Sequence, residues 1–342
     1  MENKKLIELD ITRAIAIVAV IILHLTTVIV TSPEKVMNLP QFLFIDQIGR
    51  FSVPAFIFIS GMGLGFSLRN KPKKFSEFFK ARMSKILPLY IIFSFIYFFL
   101  PVPQSNHYVL GFISDLFMGK ANFHLYFIPI IVQLYIIFPY IYRYSKNLNF
   151  ILIILAINLL LLVFVDYSIQ IHGIIKHLLD YNSCIFWSFY FIFGIYCSYN
   201  IFKIKSFLEK HKNCLLILFL IAGTIIFFDS ITSFKSSGQV NIKTICFLRP
   251  AVLFYTLSFL MFVFSFNWIN TALNSIFNYL SRASYFIYLS HVAFLQIFNK
   301  LYNHFFGMYN LFYLVCGFIF TLIGTIAAYE ILLKIKYVNK YL

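Results

Sequence analysis

The sequence has 342 residues, 61% of them hydrophobic and only 12% charged, with 45 Phe, 23 Tyr and a formal net charge of +16. Soluble domains carry roughly 25% charged residues, so this composition excludes a water-soluble globule and points to a polytopic membrane protein. The surplus of lysine and arginine would suit a nucleic-acid partner, but its placement along the chain assigns it to membrane orientation, and no nucleic acid is expected.

The apolar residues come in blocks of about twenty, the length that crosses a bilayer core as a helix. Ten spans are expected, near residues 11–31, 49–68, 84–101, 123–142, 149–167, 183–201, 213–230, 247–267, 284–301 and 309–332. The expected fold class is therefore all-α: a single membrane domain over 1–342, about ten transmembrane helices, no appended soluble domain. The first run is too long for the apolar core of a cleavable signal, and no small-residue cleavage site follows it.

That first span opens LDITR and closes on a histidine. Arg13 and His24 are close to three helical turns apart, so they share a face at about 16 Å along the axis, with Asp10 one turn before Arg13. An imidazole in a bilayer core is costly and marks a functional candidate. Asp10 is too far from His24 to orient it and is expected to pair with Arg13. Segment 38–50 is broken by Asp46 and Arg50 and reads as an interfacial or re-entrant approach to the second span. Arg50 enters that span at a depth comparable to His24, as an electrostatic partner for a base.

The stretch Arg69 to Lys85 holds seven cations. Gly61, Gly63 and Gly65 fall inside a span, where helix packing explains them. His124 and Tyr126 open the fourth span, where a polar acceptor would arrive, and His172 and His177 lie in a loop and are expected to be solvated. In the ninth span Ser284, Tyr288 and His291 share a face, at spacings of four and three, and Ser284 can also cap its start. A polar seam between helices and a role in the site both fit this trio. The five cysteines form no CxxC pair and read as small buried hydrophobes; no metal site is expected.

With ten spans both termini share a side. The termini and the loops on that side hold nineteen lysines and arginines, and the opposite loops six. This asymmetry places both termini in the cytoplasm, Arg13 and the Arg69–Lys85 cations at the cytoplasmic face, and His24 beyond the midplane.

The motifs, taken in order, resemble membrane acyltransferase family 3, the ten-span O-acyltransferases of cell-surface glycans. LDITRAIAIVAVIILH matches the family's basic residue followed after ten positions by histidine, through Arg13 and His24. RFSVPAFIFISG matches an arginine leading into V-P-x-F and ending S-G, through Arg50, Val53, Pro54, Phe56, Ser60 and Gly61. FFKARMSKILPLY resembles the basic segment before the third span, with Arg82, Lys85 and Pro88. HLYFIPIIVQLYIIFP resembles the His-Leu-Trp-Phe stretch, with Tyr126 in the tryptophan position. SRASYFIYLSH matches Ser-Tyr-x-x-Tyr-Leu-x-His, through Ser284, Tyr285, Tyr288, Leu289 and His291.

The resemblance implies a bacterial plasma-membrane enzyme that takes an acyl group, usually acetyl, from cytoplasmic acyl-CoA and passes it to a hydroxyl of a glycan or lipid-linked sugar. Arg13 and Arg82, then Lys85, are the expected contacts of the nucleotide phosphates, since a guanidinium fork pairs with two oxygens at once. The pantetheine arm would run along the first span towards His24. There the imidazole acts either as general base on the acceptor hydroxyl or as an acyl carrier between the two faces. Arg50 is the candidate for stabilising the oxyanion or holding the base through a neighbour. The competing class is a transporter, for which ten spans, a midplane histidine and Pro54 are also suited. Some proteins resembling the family, including the intercellular-adhesin membrane component of biofilm operons, are regarded as polysaccharide exporters. No clear internal repeat supports a carrier.

Overall fold

In lipid every backbone polar group has to be satisfied inside its own segment, so long apolar blocks become helices. A computed structural model describes residues 6–36, 38–70, 75–99, 109–166, 182–237, 246–268 and 272–335. Its order is α1 Ile7–Val30, α2 Leu39–Ile48, α3 Ser52–Asn70, α4 Phe75–Phe99, α5 Val109–Met118, α6 Phe127–Ile141 and α7 Leu148–Asp166. It continues with α8 Ser188–Lys210, α9 Lys212–Ser237, α10 Pro250–Phe264, α11 Ala272–Phe305 and α12 Leu311–Leu333. The fold is all-α; the described residues contain one isolated β-bridge, between Val36 and Tyr309.

Each of the ten expected spans coincides with a helix. Seven helical segments are long and apolar enough to cross a membrane by length and composition. The two helices for the fourth and eighth spans, α6 and α10, are apolar but only 15 residues each. The expected ninth span lies within the 34-residue α11, whose earlier start at Ala272 leaves Ser284 in mid-helix. Ser284 therefore caps nothing; its hydroxyl donates to the Ser281 carbonyl at 2.8 Å. The segment before the second span is helical. Residues 39–48 form α2, which runs through a 3-10 turn at Gly49–Phe51 into α3, and the whole stretch Leu39–Arg69 is one helical path.

Two apolar cores hold the bundle. One gathers Phe58 and Met62 of α3 with Phe191 and Ile195 of α8 and Leu253 and Phe259 of α10. The other gathers Ile17, Ile21 and Leu25 of α1 with Ile287 and Val292 of α11 and Tyr313 of α12. Phe56 of α3, Ile86 and Leu87 of α4, and Phe127 and Val132 of α6 pack against both, so α3, α4 and α6 meet at the seam between them. The glycines set one wall of that seam. A Cβ on Gly61 would fall 2.0 Å from the Phe191 carbonyl oxygen, and one on Gly194 would fall 2.1 Å from that of Phe58. Only glycine lets α3 and α8 approach this closely, the small-residue packing of helices in lipid. Gly63 differs: a Cβ there would meet nothing within 4 Å.

Candidate functional site

The seam encloses two cavities. The first, about 170 Å³, is lined by His24 and Thr27 of α1, by Arg50, Ser52 and Val53, by Phe123, His124 and Tyr126 ahead of α6, and by Phe247 and Tyr288. The second, about 190 Å³, lies towards the start of α1 and holds Arg13, Ser60, Gly63, Arg82, Tyr135, Ser284 and Tyr285. Val20, Val53 and Tyr288 line both, so these three side chains form the partition between them. Arg13 and His24, three turns apart on α1, thus open into neighbouring chambers.

His24 does not stand alone. Its ring lies 5.1 Å from that of His291, stacked at 28°, and 6.4 Å from that of His124; the latter two are 5.1 Å apart. Tyr288 organises this trio. Its carbonyl, one turn back on α11, receives the His291 Nδ1 contact at 2.7 Å, and its hydroxyl donates to the His124 carbonyl. A carbonyl oxygen only accepts, so Nδ1 of His291 carries the hydrogen and Nε2 keeps a lone pair. His124 Nδ1 lies 3.1 Å from Asn122 Oδ1. The segment leading to His124 begins at Gly119, whose φ of +68° is left-handed and where a Cβ would fall 2.7 Å from the Tyr126 Cα. Tyr126 sits at the N-cap of α6 and faces Trp187 at 6.3 Å between ring centres.

Arg50 is buried, and its Nε and Nη2 donate to Asp46 Oδ2 at 3.0 and 2.6 Å. The same carboxylate accepts from Gln47 Nε2 at 2.9 Å and from Thr26 and Thr27 at 3.4 and 3.2 Å. Gln47 accepts from Arg249, which also reaches Asp229 Oδ2 at 2.6 Å and Ser230 Oγ at 3.0 Å. Four charges and their hydrogen bonds therefore tie α1, α2, α9 and α10 together beside the His24 cavity. Arg50 contributes to the cavity wall with its guanidinium centred 5.0 Å from the Phe247 ring.

At the opposite end Arg13 Nη1 donates to Ser281 Oγ at 3.2 Å, and Ser281 in turn donates to Asp10 at 2.6 Å. Asp10 lies 3.8 Å from the guanidinium, the pairing expected from their spacing. Arg82 rests over the Phe78 ring at 5.8 Å and has no carboxylate partner among the described residues. Lys85 is exposed on α4 and does not line the cavity. Lys71, Lys73 and Lys74 of the basic stretch, and His172 and His177, lie outside the described residues.

The acyltransferase domain of acyltransferase family 3 matches residues 6–330. The chain belongs to this family. Curated relatives include the probable poly-beta-1,6-N-acetyl-D-glucosamine export protein of Staphylococcus aureus strain MSSA476, 26% identical over 296 residues, which are 83% of this chain and 81% of the relative. The protein of the same description from Staphylococcus epidermidis is 26% identical over 304 residues, 84% of this chain and 81% of the relative. No solved structure gives a significant match.

For a member of the acyltransferase 3 family, sequence reasoning found the histidines but not their common centre, because Asn122 to Tyr126 and α11 meet only in the folded bundle. It passed over Asp46 as an interruption. The available signal was the i,i+4 spacing of Asp46 and Arg50, which is that of a helical ion pair. Ser52, which lines the His24 cavity, was hidden inside the RFSVPAF motif.

Proposed function

We propose that this protein is a membrane O-acyltransferase that moves an acyl group, in the first place acetyl, from cytoplasmic acyl-CoA to a hydroxyl of a cell-envelope polysaccharide or related glycan. The observation that carries the reading is the pair of adjoining cavities, one holding Arg13 and Arg82, the other His24, with Val20, Val53 and Tyr288 in the walls of both. The Arg13 cavity suits the donor. Among the described residues Arg82 has no acidic partner to compete with phosphate, and the open space at Gly63 leaves room for a thin arm. A thioester laid across the partition reaches His24, which then acts as base on the acceptor hydroxyl or accepts the acyl group before the hydroxyl does. Arg50, held by Asp46, is a fixed positive wall beside that reaction.

A second reading, polysaccharide export, is favoured by the relatives, which are described as probable export proteins for poly-beta-1,6-N-acetyl-D-glucosamine. The two separate in a His24→Ala strain. Loss of O-acyl groups from surface glycan with normal export supports the enzyme; lost export with acylation intact overturns it. With the purified full-length protein in proteoliposomes, His24→Ala is expected to abolish transfer of label from [14C]acetyl-CoA, and transfer at the wild-type rate would remove His24 from the mechanism.

A further inference from the structure

We infer that Ser52 and His124 form the hydroxyl-binding contacts of the His24 cavity, and that their ligand is a sugar. This rests on the reading of that cavity as the acceptor side. Both residues are buried, at 0% and 1% exposure, and both line the cavity. The Ser52 hydroxyl has no hydrogen-bond partner among the described residues, and neither does His124 Nε2. Buried polar groups are almost always satisfied, and each one left open costs about 1–3 kcal/mol. Both residues line one chamber, and a ligand held there would satisfy them.

The chemistry of the atoms selects the ligand. With His124 Nδ1 turned to the Asn122 amide oxygen, Nε2 presents a lone pair and asks for a donor. Ser52 Oγ both gives and takes a hydrogen. A hydroxyl satisfies each of them, and a compound with neighbouring hydroxyls satisfies both at once. Phe123, Tyr126, Phe247 and Tyr288 give the wall aromatic faces, beside the aliphatic Val20, Leu23 and Val53, with Arg50 as its guanidinium. Flat apolar faces around a few fixed hydrogen-bonding atoms are the requirement of a pyranose ring, which has an apolar face and a polar rim. His291, stacked on His24 and outside the wall, supports the reacting ring rather than touching the sugar.

In the transfer step the sugar oxygen attacks the acyl carbon, a C–O bond forms, and the bond from that carbon to its carrier breaks with the electron pair leaving on the carrier. The hydroxyl proton passes to His124 Nε2. This is the route in which His24 carries the acyl group: His124 takes the acceptor's proton, and the electron pair of the breaking bond returns to the His24 imidazole.

The test measures binding apart from turnover. A tritiated β-1,6-linked N-acetylglucosamine pentasaccharide is titrated against the full-length protein in proteoliposomes, for wild type, Ser52→Ala and His124→Gln, with thermal midpoints recorded for each. Binding by wild type, weakened by about three- to tenfold in Ser52→Ala, is expected from the loss of one neutral hydrogen bond. Because Ser52→Ala removes an unsatisfied buried hydroxyl, its midpoint should hold or rise while affinity falls, a combination that a structural role would not produce. No binding by wild type, or unchanged affinity in Ser52→Ala, overturns the inference, even if His124→Gln fails to fold. Whether acetyl-CoA is consumed by the same proteoliposomes is a separate measurement, so failure of the sugar site and failure of the acyltransferase reading remain distinguishable.

Discussion

Asp46 and Arg50 show how much one residue can hold when no water is at hand. Their side chains are 0% and 4% exposed, and the carboxylate gathers Arg50, Gln47, Thr26 and Thr27. Attraction between two buried charges roughly offsets the cost of taking them out of water, but removing one leaves the other uncompensated, which costs about 3–5 kcal/mol. Asp46→Ala and Arg50→Ala are therefore each expected to lower the thermal midpoint sharply, and the double variant by much less than the sum of the two. Melts that add would show that the pair is not energetically coupled. The same residues bear on legibility. A charge inside an apolar run looks like an interruption when its partner is unknown, and Gln47 to Arg249 spans 202 positions. Sequence spacing exposes the local pair and conceals the distant one.

At the scale of the element, α3 carries two kinds of glycine. Gly61 meets the α8 backbone, and Gly194 of α8 meets that of α3, whereas Gly63 faces the Arg13 cavity. A methyl group at Gly194 would press on the Phe58 carbonyl and the Met62 amide, atoms that move only if the helices part. Gly194→Ala is expected to prevent folding. Gly63→Ala should gain up to about 1 kcal/mol from helix propensity with nothing to strike. Gly63→Leu is the informative change: it fills the chamber, so KM for acetyl-CoA should rise several-fold while the thermal midpoint stays near that of wild type. An unchanged KM would place the donor elsewhere. Element existence was legible because long apolar blocks in lipid have one solution, and all ten blocks are helices. Element ends were less so. The start of α11 lies well before the apolar block because its first turns, from Ala272, are amphipathic, and polar turns resemble loop until their apolar face has a neighbour.

The whole molecule is asymmetric from end to end. Arg13 and Arg82 lie at the end where α1 starts, with Glu8 of α1 paired to Lys205 of α8 nearby. His24, Arg50 and Arg249 lie at the other, where the charge is balanced by Asp46 and Asp229. Acyl-CoA carries several phosphates and is made in the cytoplasm, so the proposed chemistry requires the Arg13 end to face inward, the side on which nineteen of the lysines and arginines were assigned from sequence. The charge bias and the proposed chemistry call for the same direction. The check uses a chain whose five native cysteines are replaced, with single cysteines placed at two exposed lysines, Lys203 in α8 and Lys120 ahead of α6. An impermeant maleimide should label Lys120→Cys in intact cells and Lys203→Cys only after the membrane is opened. The reverse pattern would put Arg13 and Arg82 outside, away from any nucleotide donor, and with them the direction of transfer would fall. Labelling in the expected order puts Val20, Val53 and Tyr288, which line both cavities, between the cytoplasmic chamber of Arg13 and the outward-facing one of His24.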